Sequence, residues 1–187
     1  MSNIVYLVYV AACRAHDLER TANSGIAGGR GMSNGQAIRG ARYGHTNIIA
    51  ADWRRLADFY AQLFGCEFVP PERDYEGADL ARGTGVPDAA IRGVHLRLPG
   101  HGANGPTLEI YSYPRSEERL PSAANRLGLA HIAFEVEDVA AARESVLASG
   151  GQPIGEIVTL VTTDGRRVTW CYVTDPEDNI VELQSWT

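Results

Sequence analysis

From Tyr43 onward the chain alternates apolar and polar positions in a pattern that repeats itself. Tyr43 to Ala50 reads as a strand. Leu56, Phe59, Tyr60, Leu63 and Phe64 then recur at three- and four-residue spacing, which places them on one stripe of a helix. Asp52 predicts the N-cap of that helix, because its carboxylate can accept from the first unpaired N–H groups. Gly65 predicts its C-cap, where a left-handed residue is wanted. Cys66 to Val69 reads as a short strand, followed by a polar loop through Pro70, Pro71, Gly77, Gly83 and Gly85. Strands are predicted at Ile91 to Leu98 and Thr107 to Tyr113, with a His-Gly-Ala-Asn-Gly-Pro turn between them.

The second half runs the same way. Leu129 to Val136 reads as a strand, and Asp138 caps a helix carrying Val139, Ala142, Val146 and Leu147, which Gly150-Gly151 stop. Strands follow at about Glu156 to Thr162, Val168 to Val173 and Asn179 to Gln184, with turns at Asp164-Gly165 and Asp175-Pro176. Each half is therefore β-α-β-β-β. A duplication of this size predicts two copies of one unit about a pseudo-twofold axis. The expected fold is α+β, with module 1 at about 43–114 and module 2 at about 128–186 of a domain spanning 42–187.

Residues 1–41 are expected to be a flexible extension. Gly25, Gly28, Gly29, Gly31, Gly35 and Gly40 fall there among Ser and Asn, and such a chain loses much backbone entropy on ordering. The glycines lack the GxGxxG spacing of a dinucleotide loop. The apolar run Ile4 to Cys13 is too short to span a bilayer, and no basic residue precedes it as an export signal requires. No membrane association is expected.

Composition narrows the chemistry. Hydrophobic residues make up 44% and charged residues 21%, ordinary for a globular protein in water. A net charge of −6 argues against a nucleic-acid partner held by bulk electrostatics. All 17 basic residues are Arg, so Schiff-base and lysine-base chemistry are excluded. Cys13, Cys66 and Cys171 form no CxxC and no obvious pairing, which predicts a reducing, cytoplasmic setting. Cys171, between Trp170 and Tyr172, reads as a buried structural thiol.

The candidate chemistry comes from strand alternation. In Thr107-Leu108-Glu109-Ile110-Tyr111 the Leu and Ile point one way and Glu109 the other. In Asn179 to Gln184, Val181 and Leu183 oppose Glu182. If helices cover the aliphatic face, both Glu residues lie on the concave face, where His45 and His131 can join them. Carboxylates beside apolar neighbours are costly unless paired or metal-bound. Two imidazoles and two carboxylates suit a divalent ion: Zn, Ni, Co, Mn or Fe. His95 and Arg97 alternate onto one face of their strand and are candidate substrate-binding residues. Arg97 suits a substrate carboxylate. Tyr111, Tyr113, Trp170 and Tyr172 either wall a pocket or fill a core.

Several motifs together resemble the vicinal oxygen chelate superfamily: glyoxalase I, methylmalonyl-CoA epimerase, extradiol dioxygenases, and fosfomycin and bleomycin resistance proteins. In the first half they are Gly44-His45-Thr46, Phe59-Tyr60, Leu63-Phe64-Gly65 and Thr107-Leu108-Glu109-Ile110. In the second they are Leu129 to Phe134 and Asp175-Pro176-Glu177-Asp178-Asn179-Ile180-Val181-Glu182-Leu183. The resemblance implies paired βαβββ modules whose curved mixed sheets form a metal-centred cavity. It also implies metal ligands at His45, Glu109, His131 and Glu182. Two His and two Glu look most like glyoxalase I, a lactoylglutathione lyase. That implies a metal-dependent lyase or isomerase acting on a small carbonyl-derived substrate, with Glu182 as catalytic base and Glu109 the alternative. An epimerase or dioxygenase of the same fold, or a metal-free binding or resistance protein, is the competing expectation. Two glutathione-holding positions of glyoxalase I are Ile49 and Tyr113 here, so the resemblance carries the metal and reaction type rather than the thiol. A homodimer is implied by resemblance.

Overall fold

The computed structural model describes residues 38–187, and Arg42–Thr187 form one compact unit. The expected flexible extension and Cys13 fall outside the described residues, apart from positions 38–41. Module 1 comprises β1 (His45–Ile49), α1 (Trp53–Phe64), β2 (Glu67–Glu76), α2 (Ala78–Thr84), β3 (Ala90–Arg97) and β4 (Thr107–Ser112). Module 2 comprises β5 (Ile132–Glu135), α3 (Val139–Ala148), β6 (Pro153–Val161), β7 (Arg167–Thr174) and β8 (Ile180–Trp186). Their sheets have matching orders, β1-β4-β3-β2 and β5-β8-β7-β6. In each, the first strand runs parallel to the last, and the remaining pairs are antiparallel. This is the α+β, doubled βαβββ architecture that the periodicity implied. No helix among the described residues is long and apolar enough to cross a membrane.

The helix caps form as the local sequence dictates. One Asp52 carboxylate oxygen accepts from the N–H groups of Arg54 and Arg55 at 3.1 and 3.2 Å. Gly65 closes α1 with φ of 68°, a conformation that costs a glycine little. Asp138 caps α3 in the same manner as Asp52 caps α1. At the end of α3 the cap is Ser149 rather than the glycine pair. Gly151 serves packing instead: a Cβ there would come within 2.3 Å of the Thr174 carbonyl oxygen.

Helices α1 and α3 each bury a stripe against one sheet face. Leu56, Ala57 and Tyr60 meet Val94, Leu96, Leu108 and Ile110 of module 1, while Val139 and Val146 meet Cys171, Val173, Val181 and Leu183 of module 2. These residues form one continuous core. Phe64 stacks on Phe134 with ring centroids 4.1 Å apart, joining α1 to β5. Cys171 is fully buried, as a structural thiol should be, and burial pushes its pKa up.

Three elements differ from the sequence reading. The stretch read as a polar loop after Val69 is a continuation of β2, interrupted by an irregularity between Val69 and Arg73 that contains the cis Pro70-Pro71 bond. The prolines occupy the irregularity, where no ladder N–H is required, so pairing resumes from Arg73 to Glu76. The following Ala78–Thr84 is helix α2, started at Gly77 and ended at Gly85. Finally, β5 is shorter than expected, so His131 directly precedes the strand rather than lying within it.

Candidate functional site

Strand register fixes which side chains share a face. In module 1, Val69, His95, Glu109 and Asn47 stand in one row across four strands. A second row holds Glu67, Arg97, Thr107 and His45, and a third holds Arg73, Gly93, Tyr111 and Ile49. The alternate positions Val94, Leu96, Leu108 and Ile110 point into the core. Glu109 and its neighbours therefore occupy the face away from α1. In module 2 the corresponding row is Ile154, Tyr172, Glu182 and Ala133, with Val158, Trp170, Gln184 and Glu135 beside it.

On each face a histidine meets a glutamate. His45 Nδ1 lies 3.3 Å from Glu109 Oε1, and His131 Nε2 lies 3.0 Å from Glu182 Oε2. His45 is paired with Thr107, two positions before Glu109 on β4. His131 precedes Ile132, whose partner is Val181, so it stands at the level of Ile180, two positions before Glu182. The two pairs thus occupy equivalent positions of the duplicated module. Both carboxylates are largely buried, with side-chain exposures of 13% and 15%.

The other candidate residues gather around these pairs. His95 Nε2 faces Tyr111 Oη at 2.8 Å and Glu109 Oε1 at 3.2 Å. Burial holds the His95 imidazole below its ordinary pKa, and the charges of Arg73 and His45 act the same way against the opposing pull of Glu109. The phenol of Tyr111 is pushed up to about 12, chiefly by burial and then by Glu109. Trp170 packs edge-on against Tyr172 at 4.8 Å, and the Tyr172 ring lies 5.0 Å from that of His131. Burial, and next the Glu182 charge, raises the Tyr172 pKa. Trp170 and Tyr172 line the Glu182 face, and Tyr111 the Glu109 face. Arg97 is on the expected face, but its guanidinium is held by Glu67 at 2.7 Å.

The donor set fits a divalent ion. Two ligands about 2.1 Å from one ion, at angles between square and tetrahedral, are about 3.0–3.4 Å apart. Both His–Glu separations fall in that range. The expected convergence of all four on one point is not seen within the single chain: among the described residues, no group of three or more His, Cys, Asp or Glu side chains is arranged to hold a metal ion. The physical reason lies at the sheet edges. β1 and β5 belong to separate sheets, and a cleft of about 410 Å³ lined by Thr46, Leu98, Ile132, Phe134 and Glu135 lies between the modules. The four residues form two His–Glu pairs, one in each module.

A buried hub, read from the sequence as a turn and as the start of a motif, precedes the second His–Glu pair. The Asp175 carboxylate accepts from Tyr60 Oη at 2.8 Å, from Asn179 Nδ2 at 2.7 Å, and from the N–H groups of Glu177 and Asn179 at 2.9 Å. Glu177 reaches back with both oxygens to the N–H groups of Ala51 and Asp52, at 2.6 and 2.8 Å. Arg119 donates to the carbonyls of Glu177 and Asp178 and to Asn179 Oδ1. This loop leads straight into β8 and Glu182. Its signal in the sequence is the Asp175-Pro176-Glu177-Asp178-Asn179 run, three acids and an amide around a proline.

Comparison with known proteins agrees with this architecture. The family model described as the glyoxalase/bleomycin resistance protein/dioxygenase superfamily matches residues 42–183. A glyoxalase family protein from Bacillus cereus superposes with a TM-score of 0.65 at 20% identity, over 78% of this chain and 93% of that one. A glyoxalase/bleomycin resistance protein/dioxygenase domain from Frankia sp. EAN1pec gives 0.51 at 14% identity, over 79% and 93%. No curated protein sequence matches the chain.

Proposed function

Because the chain belongs to the glyoxalase/bleomycin resistance protein/dioxygenase superfamily, we propose that it is a metal-dependent lyase or isomerase of the glyoxalase I type. On this reading it transfers a proton at a carbon next to an oxygen of a small carbonyl-derived substrate. The observation that carries the reading is the repeated His–Glu pair, at equivalent register in both modules and on the face turned from the core.

His45, Glu109, His131 and Glu182 would hold the ion, which would supply positive charge to stabilise a substrate oxygen as negative charge develops there. The rest of the reaction falls to the chain's own groups. Glu182 takes the proton from carbon and returns it to the neighbouring carbon or the opposite face. Its shallow exposure beside Trp170 and Tyr172 restricts competing water. Glu109, facing His45 and His95, is the alternative base.

Two half-sites on open sheet faces also support a homodimer. In that assembly His45 and Glu109 of one copy meet His131 and Glu182 of the other.

The test is exchange of substrate C–H hydrogen with solvent. Metal-loaded protein in deuterium oxide, supplied with methylglyoxal and a panel of thiols, is expected to incorporate deuterium at the reacting carbon. Glu182→Gln keeps the side-chain shape, removes the base, and is expected to lower turnover by roughly a hundredfold or more. Turnover undiminished in both Glu182→Gln and Glu109→Gln would contradict the proton-transfer reading. Tight ligand binding without turnover would favour a binding or resistance protein.

A further inference from the structure

We infer that Arg73 anchors an anionic group of the substrate, a carboxylate or a phosphate-type oxygen set, at the rim of the Glu109 face. This deepens the reading above by giving the substrate of that site a chemical class. Arg73, Gly93 and Tyr111 stand in one row, adjacent to the row that holds His95 and Glu109. The middle residue carries no side chain, and a Cβ at Gly93 would come within 2.5 Å of Tyr111 Cδ1. Gly93 therefore puts no side chain of its own between Arg73 and Tyr111 in this row.

The charge of Arg73 is also uncommitted. It is half-buried, it donates to the Pro71 carbonyl, and it joins no ion pair among the described residues. Its neighbours in sequence cannot neutralise it, since Glu72 is held by Arg54 at 2.7 Å and Asp74 by Arg92 at 3.2 Å. Arg97, the cation that the sequence singled out on this face, is bound to Glu67. A guanidinium offers five N–H donors in a planar fork that matches two oxygens of an anion, and here most of that capacity is open. β2 lies two strands from β4, about 10 Å between backbones, so long side chains leaning inward can hold both ends of one small molecule.

The experiment is an NMR titration of the full chain, freed of metal with EDTA, read at the arginine Nε–Hε resonances. Butyrate and methylphosphonate are added separately at constant ionic strength. A saturable shift of the Arg73 resonance is expected with at least one probe, and the tighter of the two identifies a carboxylate or a phosphate-type partner. Arg73→Gln is expected to weaken that binding roughly tenfold or more, while Arg97→Gln changes it less than about threefold. Arg73→Lys keeps the charge without the fork and is expected to fall between, which guards against misfolding of the glutamine variant. No saturable response, or equal losses in the Arg73 and Arg97 variants, would overturn the assignment. The titration needs neither metal nor turnover, so its failure is distinguishable from failure of the proton-transfer reading.

Discussion

Asp175 is almost fully buried, and its environment sets its chemistry. Burial raises the pKa of the carboxyl, while hydrogen bonds from Asn179, Tyr60 and Glu177 pull it back down. The Tyr60 bond favours the ionised form, so removing it costs most when Asp175 is charged. Tyr60→Phe is expected to lose about 1.5–3 kcal/mol of stability at neutral pH. A raised folded pKa means that proton uptake favours the folded state as pH falls through it, so the deficit relative to the parent is expected to shrink toward acid. Urea unfolding at neutral pH and near pH 4 measures this. A deficit that grew toward acid would contradict the assignment. At this scale the sequence was partly legible. Alternation alone placed Glu109 and Glu182 opposite the aliphatic core, and both are there. Arg73 escaped notice because its strand resumes after two prolines, and the buried role of Asp175 because its Tyr60 donor lies 115 residues away in sequence.

At the scale of elements, the start of α1 is held from two sides. Asp52 caps its own helix, and Glu177 of module 2 takes the two N–H groups just before it. Asp52→Ala is expected to cost about 1 kcal/mol, as cap deletions do. Glu177→Ala is expected to cost about 1–3 kcal/mol, because it leaves two N–H groups without their charged acceptor. Denaturant unfolding of each variant and of the double variant checks both values, and a Glu177→Ala change within error of the parent would contradict the contact. Helices α1 and α3 were legible because their apolar stripes and N-capping aspartates agree. Helix α2 and the part of β2 after Val69 were not, since a polar segment carrying prolines has no periodic signature, and the pairing of β2 with β3 arises from contacts distant in sequence.

For the whole molecule, the duplication was legible from the β-α-β-β-β pattern of each half, and the sheet orders repeat it strand for strand. What each His–Glu face meets was not legible, because strand alternation specifies a face and not its partner. A homodimer is expected to run at twice the 20.3 kDa chain mass in light scattering. If its sites are shared between copies, mixing inactive Glu109→Gln and Glu182→Gln proteins restores activity, because one site of each mixed dimer then carries both glutamates. Absence of any recovery in demonstrated mixed dimers would place all four residues within one chain. The common premise of both arrangements is that the two His–Glu pairs grip a single divalent ion. Metal content after equilibration with Zn, Ni, Co, Mn or Fe(II) and gel filtration addresses it: about one ion per chain is expected in the parent, with marked loss in either Glu109→Gln or Glu182→Gln. Retention of the full ion content after substitution of either glutamate would contradict it.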